Sequence, residues 1–280
     1  MGYKIIVDSC CDLTPEKKAD GHFQIVPLTL EVNGRHWIDD ESFDQKEYLA
    51  AVAASAECAH TACPSPGAYE NAYEGEEDMV FIVTLSQHLS GSYSSAVVAR
   101  DMFYDDHPGS EKQIHVFSSD SACCGESLVA FEIQKQAEAG KRFSEIVEHV
   151  QYFIDHMKTY FVLEDMDPLK KNGRLTGLAA LMVTVLNIRP IMAGNHGVIV
   201  KLGQSRGINR ALKAMVNHAV TNGTDFAQKT LGIVHVNCPE RAAWVRDMLL
   251  EKAPFKEVYL CNAAGVSTTY AGDGGIVVTF

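Results

Sequence analysis

Hydrophobic residues in the first half of the chain fall in short unbroken runs, each followed by a polar turn and then a stretch with helical spacing. The runs are 3–7, 79–85 and 114–117. The turns after them are Asp8-Ser9, the Ser-rich segment from Ser86 to Ser92, and Ser118-Ser119-Asp120-Ser121. Helix-like patterns then open at Thr14-Pro15-Glu16, cover 93–104, and run through Ala139 to a closing Gly140. Unbroken apolar runs alternating with helices predict βαβ units around a buried parallel sheet. A further helix is expected at Ser65-Pro66, with Ser65 as cap and Pro66 in the first turn.

The second half changes texture. An amphipathic helix over 143–157 leads to a strand at 160–163, and a helix is expected over 177–186. Strands at 190–192 and 197–202 flank Gly194-Asn195-His196, a hairpin signal. Helices over 208–222 and 239–252 and strands at 231–236, 258–260 and 276–279 complete the pattern. The fold class is therefore α/β, with an N-terminal parallel-sheet domain over 1–157 and a C-terminal α+β domain over 158–280. No fixed-period repeat or low-complexity segment interrupts either part.

Charge narrows the function. The chain carries 24 Lys and Arg against 36 Asp and Glu, a net −12, which repels phosphate backbones and argues against a nucleic-acid partner. The first residues lack the apolar run of a signal peptide, and the longest apolar stretch, 178–186, is about half what a bilayer needs. A cytoplasmic location is expected. The eight cysteines show no CxxC or zinc spacing. They read as reduced apolar fillers, the minority reading being a redox or metal site from Cys10, Cys63 and Cys123. No metal is expected.

Four segments carry candidate chemistry. In Ser86-Gln87-His88-Leu89-Ser90-Gly91-Ser92, a helix start would aim free amides outward, Ser90 and Ser92 would add donors, and Gly91 would permit close approach, which suits one small anion. In Thr61-Ala62-Cys63-Pro64-Ser65-Pro66, two prolines hold Thr61 still. In Leu169 to Leu175, Gly173 can end a helix in the left-handed conformation and project Arg174, a planar fork for carboxylate or phosphate. The Gly-rich segment from Gly265 to Gly275 has no following helix and reads as a turn into the last strand. Each segment alone has a bland alternative: a cap, a loop, a solvated charge, a turn. Asp8, Asp12 and Asp120 read as helix caps before catalytic or metal-ligating carboxylates.

In this order, Asp8-Ser9 with Asp12-Leu13, Thr61 with Pro64-Ser65, Leu89-Ser90-Gly91-Ser92-Tyr93 with Ser95-Ala96, Asp120-Ser121 and Gly173-Arg174-Leu175 resemble the DegV family of bacterial fatty-acid-binding proteins. The resemblance spans essentially the whole chain and implies a two-domain clamp on one acyl chain. It implies a carrier that is not itself an enzyme, with no catalytic residue, presenting a long-chain fatty acid to an ATP-binding kinase subunit that makes the acyl phosphate. Carried over, Thr61 and Ser90 would hold the carboxylate, a Gly91 or Ser92 amide would assist, and Arg174 would sit at the mouth beside the phosphoryl-transfer partner. The family's C-terminal Thr-His-x-Gly-Pro-Gly reads Thr269-Tyr270-Ala271-Gly272-Asp273-Gly274 here, so Tyr270 takes the place of the ligand-binding His. Cys63 also replaces a polar residue. No cofactor is implied beyond the bound fatty acid, and transient membrane contact is compatible with such a carrier.

The energetics cohere: burying about sixteen methylenes at roughly 0.8 kcal/mol each offers up to about 13 kcal/mol before ordering costs. The apolar segment 178–188 could line a tunnel or simply pack a core. The rival reading is a phosphotransfer subunit related to dihydroxyacetone kinases, binding a small polar metabolite. A deep apolar pocket favours the lipid; a small polar one favours the rival.

Overall fold

The computed structural model describes residues 2–175 and 187–280; the helix expected over 177–186 lies outside them. Strands β1 (Tyr3–Asp8) and β2 (Phe23–Val26) open the chain. A small antiparallel sheet of β3 (Thr29–Val32), β4 (Arg35–Ile38) and β5 (His60–Ala62) follows, then β6 (Met79–Thr84) and β7 (Gln113–Ser118). Strands β2-β1-β6-β7 form a parallel sheet in that order, as the unbroken apolar runs predict. All six residues of β6 are buried, and side-chain alternation explains why. Ile6, Val80 and Ile82 face α3 (Pro66–Tyr73) and α4 (Ser92–Asp106). Ile5, Val7, Phe81 and Val83 face α5 (Cys124–Glu138) and α6 (Phe143–His156). The remaining helices of this half are α1 (Pro15–Lys18) and α2 (Gln45–Ala54).

The C-terminal strands are β8 (Thr159–Val162), the hairpin β9 (Ile188–Asn195) and β10 (Val198–Arg206), β11 (Thr230–His235), β12 (Glu257–Asn262) and β13 (Ile276–Thr279). They form one mixed sheet in the order β10-β9-β8-β13-β11-β12. The hairpin turns on His196 and Gly197, both at positive φ (46° and 76°), the signature of a twisted two-residue turn. Tyr160, Val162, Ile276 and Val278 point to α8 (Ile208–Asn222) and α9 (Pro239–Lys252). Phe161, Leu163, Met192 and Val277 point the other way, towards the parallel-sheet half.

Helix α5 is the layer shared by the two sheets. Residues 124–130 are all buried, as befits a helix covered all round. Val129 and Ile133 pack on the parallel sheet, while the Cys124 thiol reaches Thr279 Oγ1 at 3.5 Å. The short α7 (Asp167–Lys171) and α10 (Gly265–Ala271) complete the described α-helices. Helix α10 corrects the sequence reading: the Gly-rich segment is a helix followed by a turn, with Gly272 at φ 66°, and not a plain turn. Among the described residues no helix is long and apolar enough to cross a membrane.

Candidate functional site

The helix α10 has poor intrinsic propensity, with Gly265, Ser267, Thr268 and Thr269 in seven residues. Contacts from the other half of the chain hold it. Asp39 accepts the Gly265 and Val266 N–H groups at 2.6 and 2.9 Å, one on each carboxylate oxygen. Asp12 accepts the Ala264 N–H and the Ser267 hydroxyl, both at 2.6 Å. Two carboxylates at a helix start satisfy its orphan amides and its partial positive charge. The Tyr48 and Thr269 hydroxyls are 2.7 Å apart, so α10 is fixed along its length.

Fixing α10 fixes Tyr270. Its phenol oxygen lies 2.9 Å from Thr61 Oγ1 on β5, and the Arg174 guanidinium sits 5.4 Å from the centre of its ring, within cation–π reach. Arg174 is aimed by its own corner. Gly173 takes φ 75°, and the Arg174 N–H closes back on the Leu169 carbonyl at 2.8 Å, the cap geometry expected of a left-handed glycine. Its guanidinium then donates to the Leu89 carbonyl at 3.1 Å and to the Asn172 carbonyl. Asn172 in turn donates to the Ala59 carbonyl at 3.0 Å and contacts His60 at 2.8 Å, tying this corner to β5.

The Leu89 carbonyl joins that group to the serine turn. Helix α4 starts at Ser92 with Gly91 as a cap that offers no side-chain hydrogen bond. Ser90 Oγ accepts the Ser92 N–H at 3.2 Å. A methyl group on Gly91 would lie 3.1 Å from Cys63 Sγ, which is how closely the Thr61 loop meets this turn. Ser92 departs from expectation. It is fully buried, its hydroxyl donates to Asp8 at 2.6 Å, and the Tyr69 hydroxyl is 2.5 Å away. Ser92 braces the turn from below, and its hydroxyl does not face a ligand.

Beside Tyr270 and Arg174 opens a cavity that, with the open space at its mouth included, encloses about 770 Å³. Its lining is almost wholly apolar, with Leu85, Leu89, Phe161, Leu163, Ile199 and Val277 among the walls. Cys10 and Cys123 line it too, and their close approach, with burial, pushes the Cys10 thiol well up. All eight cysteines are free. Cys63 is exposed, apart from buried Cys10 and Cys123, and among the described residues no group of three or more His, Cys, Asp or Glu could hold a metal.

Behind the cavity lies a set of buried carboxyls. Asp8 accepts the Cys10 and Leu85 N–H groups at 3.0 and 3.1 Å, so it is the cap that the sequence suggests, and more. Burial pushes its carboxyl up to about 6 against the hydrogen bonds that hold it down. Burial likewise pushes Asp12 up to about 7 and raises Asp39. Glu126 on α5 is fully buried next to Asp8, and burial first, then Asp8, drives its carboxyl far above the usual range. Burial also raises the Tyr270 phenol, opposed by Thr61 and by the Arg174 charge, so it stays neutral at physiological pH.

Thr61, Tyr270 and Arg174 are thus in one cluster, with Ser90 and Gly91 beside them through Leu89 and Cys63. Asp39, Glu126 and Thr159 carry no local signal, because their partners lie far along the chain.

Residues 3–280 match the model of a family described as an uncharacterised protein, DegV family. A DegV domain-containing protein of Streptococcus pneumoniae is 32% identical, over 100% of this chain and 99% of that one. A DegV family protein from Ruminococcus gnavus, solved with vaccenic acid, superposes with a TM-score of 0.96 at 43% identity, covering 99% of each chain. The fatty acid kinase B3 protein of Streptococcus pneumoniae, loaded with linoleic acid, gives 0.91 at 31% identity over 100% of this chain and 99% of that one. Matched along its whole length in sequence and in fold, the chain belongs to the DegV family.

Proposed function

We propose that this protein is a carrier for one long-chain fatty acid. The acyl chain occupies the apolar cavity, and the carboxylate sits at Tyr270, Thr61 and Ser90, with the Gly91 amide at the start of α4 assisting. The observation that carries the reading is the position of the Thr61–Tyr270 pair and Arg174 at an otherwise apolar cavity. Hydroxyls and helix-start amides satisfy a buried anion without a fixed counter-charge. The fatty acids carried by the solved relatives support the same assignment.

The carrier performs no chemistry alone. A separate ATP-binding kinase subunit supplies the phosphoryl group: a carboxylate oxygen attacks the terminal phosphorus of ATP, ADP leaves, and the acyl phosphate remains on the carrier. Arg174 stands where the developing charge needs a cation. The relative named as part of a fatty acid kinase supports this partner. We place the chain in the cytoplasm, where ATP is available, and divide it into a domain over 1–157 carrying the carboxylate turns and one over 158–280 closing on the acyl chain. The apolar lining favours the lipid over a small polar metabolite. Titrating delipidated protein with octadecanoic acid and with dihydroxyacetone tests the assignment. One octadecanoic acid per chain and no dihydroxyacetone binding is the expected result; the reverse would overturn it.

A further inference from the structure

The cavity follows one face of β8 and the residue after it: Thr159, Phe161 and Leu163 line it in alternation. Thr159 and Leu163 are four residues apart, about 13 Å along a strand. The chain runs from Leu163 directly into α7 and the Arg174 corner, so Thr159 lies at the end of the strand away from Arg174, where the Ser121 carbonyl accepts the Ser86 N–H at 2.8 Å. That end of the apolar lining carries one pair of hydroxyls. The Ser121 and Thr159 hydroxyls are 2.7 Å apart, and Asp120 lines the cavity beside them, one carboxylate oxygen accepting from Ser118 at 3.0 Å. The other contacts of the two hydroxyls are long: Ser121 to the Ala122 carbonyl and Thr279 to Thr159, each 3.4 Å. Gly194, whose added methyl would lie 3.5 Å from Thr159 Cβ, brings no side chain of its own to this end.

An all-methylene chain laid against these groups displaces their water and returns no hydrogen bond. A hydroxyl returns both a proton and lone pairs. We propose that the Ser121–Thr159 end seats an oxygen substituent on the acyl chain, so that the preferred ligand class is a hydroxylated long-chain fatty acid. The inference rests on the carrier reading above. A span of about 13 Å corresponds to roughly ten carbon–carbon bonds, which puts the substituent near the middle of an eighteen-carbon chain.

The test measures the dissociation constants of delipidated protein for octadecanoic, 10-hydroxyoctadecanoic and 2-hydroxyoctadecanoic acids. The 10-hydroxy acid should bind about tenfold more tightly than octadecanoic acid, and the 2-hydroxy acid should show no such gain. In Thr159→Val, which keeps the shape and removes the hydroxyl, the ratio of 10-hydroxy to unsubstituted affinity should fall towards one. Ser121→Ala should lower the same ratio and guards against a folding defect in the first variant. Equal or weaker binding of the 10-hydroxy acid, an equal gain for the 2-hydroxy acid, or a ratio unmoved by both substitutions overturns the inference while octadecanoic acid still binds. Loss of all three acids from the wild type overturns the carrier reading instead, and this inference with it.

Discussion

Thr61 and Tyr270 share a hydrogen bond with 2.9 Å between their oxygens, across 209 positions of sequence. Thr61 stands on an edge strand of the small sheet and Tyr270 on α10, where it lines the cavity, so the pair ties β5 to the cavity wall. Both hydroxyls can rotate to donate to an incoming carboxylate, because either atom can serve as donor in the pair.

Removing one of these donors from a buried anion carries a defined penalty. Tyr270→Phe and Thr61→Val should each weaken fatty-acid binding by about 1 to 3 kcal/mol. Since burial raises the Tyr270 phenol above its ordinary value, wild-type affinity should stay nearly flat between about pH 6 and 8, in contrast to an imidazole site. Titrations of wild type and both variants at the two pH values check this. Affinity equal to wild type in Tyr270→Phe removes the phenol from the site.

Arg174 should act on handover more than on binding. Its guanidinium is engaged with the Leu89 and Asn172 carbonyls and the Tyr270 ring. Arg174→Ala should therefore lower fatty-acid affinity by no more than about tenfold, roughly 1.4 kcal/mol. Acyl-phosphate formation with a cognate kinase subunit should fall much further. Binding constants and kinase turnover, measured on the same preparation, separate the two effects; a loss confined to affinity contradicts the assignment.

The buried carboxyls predict a pH dependence of stability. Asp8, Asp12 and Glu126 all have folded-state values raised by burial. Their protons are held more tightly in the folded than in the unfolded chain, so stability is fully present below the unfolded value near 4 and is lost as pH rises. The loss continues through about 6 for Asp8 and about 7 for Asp12, and further for Glu126. While Glu126 stays protonated in the folded state, its share of the loss is about 1.4 kcal/mol for each pH unit above its unfolded value. Glu126→Gln, neutral at every pH and similar in shape, should be more stabilising relative to wild type at pH 8 than at pH 5. Denaturant midpoints at the two pH values test this; an equal difference at both would mean that Glu126 is ionised in the folded protein.

The parts of this architecture written in local pattern were legible in the sequence. The apolar runs ending at Val7, Leu85 and Phe117 gave the parallel sheet, because strands covered on both faces need no alternation. Gly173 and Arg174 were legible because a left-handed glycine ends a helix in a known way. Helix α10 was not, because Asp12 and Asp39 hold its start from more than 220 positions away. The strands β3 and β5 are short, four and three residues, too few to show a period. Ser92 misled because its hydroxyl looks the same in sequence whether it meets a ligand or, as here, a buried Asp8.

The carrier account is tested most directly by mass spectrometry of an organic extract of the purified, folded protein, with added octadecanoic acid titrated into the delipidated remainder. The account predicts close to one long-chain fatty acid per chain in the extract or, if purification strips it, saturable uptake of one equivalent by the delipidated protein. No fatty acid in the extract together with no uptake would contradict it.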